Sequence, residues 1–324
     1  MKDNYPIKNL FNNTSRIVYG CMGLGGDWDS PSFEQHHINQ AHQVLDAALE
    51  HGITQFDHAD IYTRGKAERV FGEVLKQRPE LKDQISIQSK CGIRFADEQH
   101  PGRYDFSKDW IISSTEGILK RLNVEHIDTL ILHRPDPLVE PEEVALAFEH
   151  LKQQGKVRHF GASNMHLHQL QFLNSALEQP LIVNQLELSL TQLGWLDEGV
   201  TSLGAGDKAV NFSSGTIEYC RQNNVQLQSW GCLSQGLFTG RALDNQPDFI
   251  HNTAAKVDAL ATRYQVSKEA IVLAWLMRHP AQIQPVIGTT NPQRIAQCAE
   301  AVNVELSRED WYSLYVSARG EALP

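Results

Sequence analysis

Four residues of this chain, Asp57, Tyr62, Lys90 and His133, are of the types that together move a proton. Three short stretches that read as buried strands deliver them at their C-terminal ends. QFDHADIY carries Asp57 and, five residues on, Tyr62; ISIQSK ends in Lys90; DTLILH ends in His133. A further stretch, IVNQLE, brings Asn184 and Gln185. In a barrel of parallel strands such ends converge on one face, however far apart they lie along the chain. There a lysine charge lowers a phenol from its usual pKa of about 10, and a carboxylate holds the lysine. Taken singly, each residue has a blander reading. A strand-end lysine is usually a solvated charge, a lone histidine usually packs or faces water, and Asp57-His58-Ala59-Asp60 reads as a turn. Their joint occurrence at the ends of consecutive strands favours a proton-transfer site.

The elements that must position these residues alternate almost throughout. Strand-like stretches fall at 16–24, 54–60, 85–91, 127–133, 159–163, 181–188, 225–233 and 284–288. Helical periodicity fills 34–51, 66–77, 108–122, 141–154, 166–177, 215–223, 267–278 and 292–302. Gly52 and Gly155 read as C-terminal glycines, and Asn291 before Pro292 as an N-cap with proline at the first helical position. Eight strand–helix units demand a parallel sheet and point to an α/β fold, a (β/α)8 TIM barrel over 1–324 in one domain. A doubly wound sheet is the rival. It would place GxGxxG after the first strand, whereas no helix begins at the third glycine of GCMGLGG (20–26). Residues 189–214 lack strong periodicity and are expected to form a long loop. A helix at 251–264 and an amphipathic one at 307–319 are additions to the barrel.

Bulk properties exclude several classes. The 324 residues are 41% hydrophobic and 21% charged, enough apolar material for a large core. A net charge of −10 argues against nucleic acid or an anionic membrane surface as partner. The five cysteines are odd in number and form no CxxC, which predicts reduced thiols in a cytoplasmic protein rather than disulfides or structural zinc. The N-terminus lacks the apolar core of a signal peptide, and no run approaches the length of a membrane span. His166 and His168 have the spacing of strand metal ligands, yet they open a helix, where i and i+2 diverge, so no metal is expected.

FDHADIY, SKCG, ILHRPD, GASN, VNQLE and GTTNPQRIA resemble the signatures of the aldo-keto reductase family, in that family's order, from about residue 17 to residue 302. The HRPDPL segment resembles a bacterial oxidoreductase subgroup. The resemblance implies an NADP(H)-dependent oxidoreductase acting on a small carbonyl compound. Tyr62 would protonate the carbonyl oxygen as hydride arrives, Lys90 would depress the Tyr62 pKa, Asp57 would orient Lys90, and His133 would position the carbonyl. The chemistry agrees: reduction leaves an alkoxide that needs a proton, and a tuned phenol can give it and take it back.

The same resemblance implies that Ser163, Asn164 and Gln185 grip the nicotinamide carboxamide, with Asp57 and Met22 beside the cofactor and Trp230 stacked on its ring. Gly231, Cys232, Leu233, Gln235, Gly236 and Leu237 would cover the pyrophosphate, glycines letting backbone amides approach phosphate oxygens. Thr289, Arg294 and Gln297 would contact the adenosine end. Arg294 and free amides at the start of its helix would suit a 2′-phosphate. Gly288 stands where many members carry a lysine, so one cation is missing. Cys21 and Met22 replace a Thr-Trp pair, and with Trp28 they are expected to shape the substrate pocket. Two other functions compete: a cofactor-binding, redox-sensing regulatory subunit with slow turnover, and a metal-dependent barrel hydrolase, which the missing strand-end HxH disfavours. Oligomeric state is not legible in these residues.

Overall fold

The computed structural model describes residues 5–11, 13–201, 210 and 212–324. Its strands are β1 (Val18–Gly20), β2 (Gln55–Asp57), β3 (Ser86–Cys91), β4 (Ile93–Arg94), β5 (Arg103–Tyr104), β6 (Ile127–Leu132), β7 (Val157–Ser163), β8 (Val183–Glu187), β9 (Gln226–Trp230) and β10 (Gln284–Ile287). Eight of them close a parallel barrel, in the order β1-β10-β9-β8-β7-β6-β3-β2, while β4 and β5 pair antiparallel outside it. Closure runs through Val18 opposite Val286 and Tyr19 opposite Ile287. The fold is therefore a (β/α)8 barrel, and the doubly wound alternative falls away.

The helices are α1 (Gln35–Glu50), α2 (Lys66–Gln77), α3 (Lys108–Leu122), α4 (Pro141–Gln153), α5 (Leu167–Asn174), α6 (Gly194–Thr201), α7 (Thr216–Gln222), α8 (Asp248–Tyr264), α9 (Lys268–Met277), α10 (Pro292–Ala299) and α11 (Arg308–Arg319). Helices on the outside and side chains on the inside bury every residue of β3 and β6, the polar Gln88, Ser89 and Lys90 of β3 included. Phe56 of β2 turns outward against Phe71 of α2, ring centroids 5.3 Å apart. α2 also approaches α3 closely: a Cβ on Gly72 would lie 2.1 Å from the Arg121 carbonyl oxygen, so only glycine fits there. The fully buried Glu68 of α2 pairs with Arg121 at 2.7 Å and accepts from Ser89 Oγ at 2.7 Å. That helix, which reads from sequence as a surface and packing element, thus clamps the strand that carries Lys90. Tyr5, Ile7 and Phe11 gather with Ile131 and Val183 and plug the end of the barrel where the strands begin.

The cap signals hold locally. Asn291 Oδ1 accepts from the amides of Gln293 and Arg294, Pro292 takes the first position of α10, and Gly52 and Gly155 adopt left-handed φ of 72° and 69°. One element departs from expectation. Residues 189–214 do not run as one long loop, because 194–201 form α6. Trp195 nucleates it, packing edge-on against Trp275 (5.9 Å) and His279 (5.0 Å). A single aromatic anchor between Gly194 and Gly199 leaves too few apolar positions to show a helical period. Residues 202–209 and 211 of that stretch lie outside the described residues. The added helix begins at Asp248, three residues earlier than expected, and α11 packs with it, Thr253 Oγ1 donating to Ser317 Oγ at 3.0 Å, while Trp311 stacks on Trp275 of α9 at 5.6 Å.

Candidate active site

At the C-terminal ends of β2 and β3 the side chains of Asp57 and Lys90, each 1% exposed, form an ion pair at 2.6 Å. Lys90 Nζ also donates to the Tyr62 hydroxyl at 2.9 Å and to the His58 carbonyl at 3.0 Å. All three ammonium donors therefore have acceptors. The second oxygen of Asp57 accepts from Gln88 Nε2 (2.6 Å) and Gln185 Nε2 (3.1 Å). Below them lies a layer that the strand sequences conceal. Gln55, Gln88, Gln185, Gln228 and Gln284, from five strands, bond amide to amide across the barrel interior. No sequence signal marks them, since the five lie in different strands and no local pattern links one to another.

Tyr62 reaches the site through a strained turn. Thr63, Arg64 and Gly65 follow it with φ of 45°, 57° and 80°, all left-handed. The buried Thr63 hydroxyl holds that turn, donating to the Leu24 carbonyl (3.0 Å) and accepting from the Ala67 amide (2.9 Å). Consecutive left-handed non-glycine residues cost free energy and concentrate at functional sites. The His133 ring lies edge-on to Tyr62 at 6.1 Å. His133 Nδ1 is buried without a partner, which leaves Nε2 as the nitrogen facing the cavity.

The electrostatics differ from expectation in one respect. Burial raises the Tyr62 phenol above its ordinary pKa, and the opposing pull of the Lys90 charge does not overcome it, partly because Asp57 adds to the rise. The phenol is thus protonated at neutral pH. Burial also works against the charge on Lys90, but Asp57 and Tyr62 outweigh it and hold the lysine above its usual value. Burial, then the Lys90 and Arg134 charges, push His133 well below the usual imidazole range, so the ring is neutral. The adjacent His58, sealed against Phe71 at 4.6 Å, is driven down to about 3 by burial and Lys90.

An elongated cavity of about 740 Å³ opens above these groups. Asp57, Tyr62, His133, Ser163, Asn164, Gln185 and Trp230 line one part of it, and Gly288, Thr289 and Arg294 another. Between them runs the 231–240 segment, from which Gly231, Cys232, Leu233, Gln235 and Gly236 reach the cavity. Gly231, Ser234, Gln235 and Gly236 all have left-handed φ, a second strained stretch at the cavity wall. At Gly288 an added Cβ would meet nothing within 4 Å, so the wall is open to close backbone approach there. Asn164, itself left-handed (φ 59°), donates to the His133 carbonyl and accepts from the Trp230 indole at 3.1 Å. Ser163 Oγ accepts from Asn164 (2.7 Å) and donates to the Gln185 carbonyl (2.9 Å).

Several expected site residues sit elsewhere. Cys21 is fully buried beneath the mouth; only Met22 and Trp28 of the expected pocket trio line the cavity, because 21–23 form a tight turn that rotates Cys21 inward. Leu237 packs into the core and Gln297 lies on α10, its backbone carbonyl accepting from Ser267 Oγ; neither lines the cavity. The Gln185 amide is turned toward Asp57 and Gln228. The start of α10 does not present free amides, since Asn291 Oδ1 takes those of Gln293 (2.9 Å) and Arg294 (3.3 Å) and Asn291 O takes that of Ile295. A phosphate there would rest on the Arg294 side chain instead. Glu269 and Arg134 line the cavity without having been expected to. Tyr19, which donates to the Thr289 carbonyl at 2.9 Å, positions the wall from behind. His166 caps α5 through the Gln169 amide rather than pairing with His168.

A model of the Aldo/keto reductase family matches residues 16–315. Over 313 residues the chain is 36% identical to a protein of Agrobacterium fabrum (strain C58) named 6-dehydroglucose reductase, covering 95% of each. It is 35% identical over 313 residues to the oxidoreductase YdhF of Escherichia coli K12, covering 96% of this chain and 95% of that one. Among solved structures, an aldo-keto reductase from Klebsiella pneumoniae in complex with NADPH superposes with a TM-score of 0.70 at 21% identity, over 93% of this chain and 90% of that one. The chain belongs to the aldo/keto reductase family, and it is an oxidoreductase acting on carbonyl compounds. Among the described residues no helix is long and apolar enough to cross a membrane.

Proposed function

We propose that the enzyme reduces an aldehyde or ketone to the alcohol with NADPH, Tyr62 supplying the proton. The observation that carries this reading is the buried Asp57–Lys90–Tyr62 chain opening onto an elongated cavity. The residues present suit the cofactor: amide and hydroxyl groups of Ser163 and Asn164 at the end near Tyr62, and the open wall at Gly288 with Arg294 at the other. When bound, the nicotinamide supplies a hydride to the carbonyl carbon. The neutral His133 and the Tyr62 hydroxyl converge where the carbonyl oxygen must sit. Tyr62, protonated at neutral pH, gives its proton to that oxygen as charge develops there, and Lys90 beside it stabilises the phenolate left behind. Asp57 keeps Lys90 charged and aimed. Solvent reprotonates Tyr62 once product leaves. The Agrobacterium relative named 6-dehydroglucose reductase supports a carbonyl substrate of small-molecule size.

The test is a panel of aldehydes and ketones scored by NADPH consumption. Reduction of several members, at least about 10²-fold weaker in Tyr62→Phe, is the expected result. A flat response to every carbonyl would transfer the cavity to the regulatory, cofactor-sensing role.

A further inference from the structure

Among the described residues four charged side chains line the cavity: Asp57, Arg134, Glu269 and Arg294. Asp57 is committed to Lys90. Glu269 and Arg294 belong to α9 and α10, at the Gly288–Thr289 end. Arg134 is different. It follows His133 directly, so its backbone is fixed beside the reacting end of the cavity, where Trp230 is its neighbour in the wall.

The guanidinium sits over the Trp230 indole, 5.5 Å from Cζ to the ring centroid. Stacking of this kind holds the planar group by its face and leaves the in-plane N–H donors available. Among the described residues those donors make no hydrogen bond and no ion pair within 4 Å. Glu187, at the exposed end of β8, is near enough to feel the Arg134 charge without pairing with it; burial still raises its carboxyl pKa. Arg134 is half-buried and lines the cavity, and none of its nitrogens is among the buried atoms left without a partner, so its donors face the open space of the cavity. Among the described residues the rest of the reacting end offers no other net positive charge, since Asp57 balances Lys90 and His133 is neutral.

We propose that Arg134 sets specificity by binding a carboxylate on the carbonyl substrate, so that this enzyme prefers aldehydes or ketones that are also acids. The inference rests on the reductase reading above and adds the substrate class. A carboxylate presents two oxygens to a guanidinium edge in matched geometry, a fit that a hydroxyl or an alkyl chain cannot reproduce. Glu187, near Arg134 but not paired with it, competes with an incoming anion for that charge.

Succinic semialdehyde and butanal, matched in chain length and different in charge, test it with NADPH in steady state. The expected kcat/KM ratio favours succinic semialdehyde by about ten- to a hundred-fold, the yield of one charge-assisted contact. Arg134→Gln should collapse that ratio toward one, chiefly by raising KM for the acid. Glu187→Gln, which removes the competitor, should raise it. An equal loss for both aldehydes in Arg134→Gln, or a ratio that survives it, overturns the proposal. Should no aldehyde consume NADPH, the reductase reading falls, and Arg134 is then judged by binding alone. Glutarate and butyrate are titrated calorimetrically into the NADP⁺-loaded protein. Because the Tyr62–His133 end can itself take one carboxylate, the glutarate-to-butyrate affinity ratio isolates the second contact. A ratio that falls in Arg134→Gln sustains the assignment, and an unchanged ratio refutes it.

Discussion

Lys90→Met perturbs the centre of the site, and the structure sets the size of the effect. Asp57 and Lys90 are each 1% exposed and 2.6 Å apart, so the substitution leaves a carboxylate buried without its cation. Breaking one side of such a pair costs about 3–5 kcal/mol. Here the carboxylate keeps two amide donors, Gln88 at 2.6 Å and Gln185 at 3.1 Å, which places the expected loss near the lower end, about 3 kcal/mol. Asp57→Asn with Lys90→Met removes both charges while an Asn oxygen still accepts from Gln88 and Gln185. The double variant should therefore lie within about 1 kcal/mol of the parent. Urea unfolding of the parent, both single variants and the double variant at neutral pH completes the cycle. A double variant as unstable as the sum of the singles would mean that the charges do not couple, and the account of the buried pair would be wrong. The same substitution strips the phenol of its cation. Tyr62, already above its ordinary value because burial outweighs the pull of Lys90, should rise further, moving the alkaline limb of the turnover profile to higher pH.

Three other outcomes are expected. Tyr62→Phe should lower turnover by at least about 10²-fold while NADPH titrations show binding retained, and near-normal turnover would remove Tyr62 from the mechanism. Arg294→Ala should weaken NADPH about ten- to a hundred-fold and spare NADH; because Asn291 already occupies the helix amides, little is left at that end to hold a 2′-phosphate, and an equal loss for both cofactors would make Arg294 a packing residue. His58, neutral in the fold down to about 3, protonates first in the unfolded chain, so stability is present above its ordinary pKa and lost as pH falls below it. Between about pH 6.5 and pH 5 that loss amounts to about 2 kcal/mol, and His58→Leu should remove it; denaturation at the two pH values that differs as much in the variant as in the parent would contradict the assignment.

Much of the site is legible because a parallel barrel turns sequence position into spatial position. Asp57, Lys90 and His133 each close an apolar strand, and strand ends share one face, so convergence follows from topology without any side-chain geometry. The 231–240 and 288–294 segments were legible through their resemblance to the family's signatures, and the cap at Asn291–Pro292 through its own local chemistry. Cys21, Leu237 and Gln297 were misplaced for the opposite reason: one turn of a loop or helix decides whether a side chain faces the cavity, and no local rule fixes that rotation. α6 escaped notice because a single tryptophan, packed on residues eighty and more positions away, does the work usually shared by a periodic stripe.

By itself the sequence determined the barrel and the order in which its strands deliver Asp57, Tyr62, Lys90 and His133, since hydrophobic period and strand-end position are properties of short stretches. Only the tertiary structure decided the direction of the Tyr62 pKa, the glutamine layer that holds Asp57 and the charge that Arg134 brings to the cavity. Each of these depends on burial and on partners from several strands at once. Desolvation and amide pairing across the barrel interior act over ångströms of space between residues up to 229 positions apart, as Gln55 and Gln284 are.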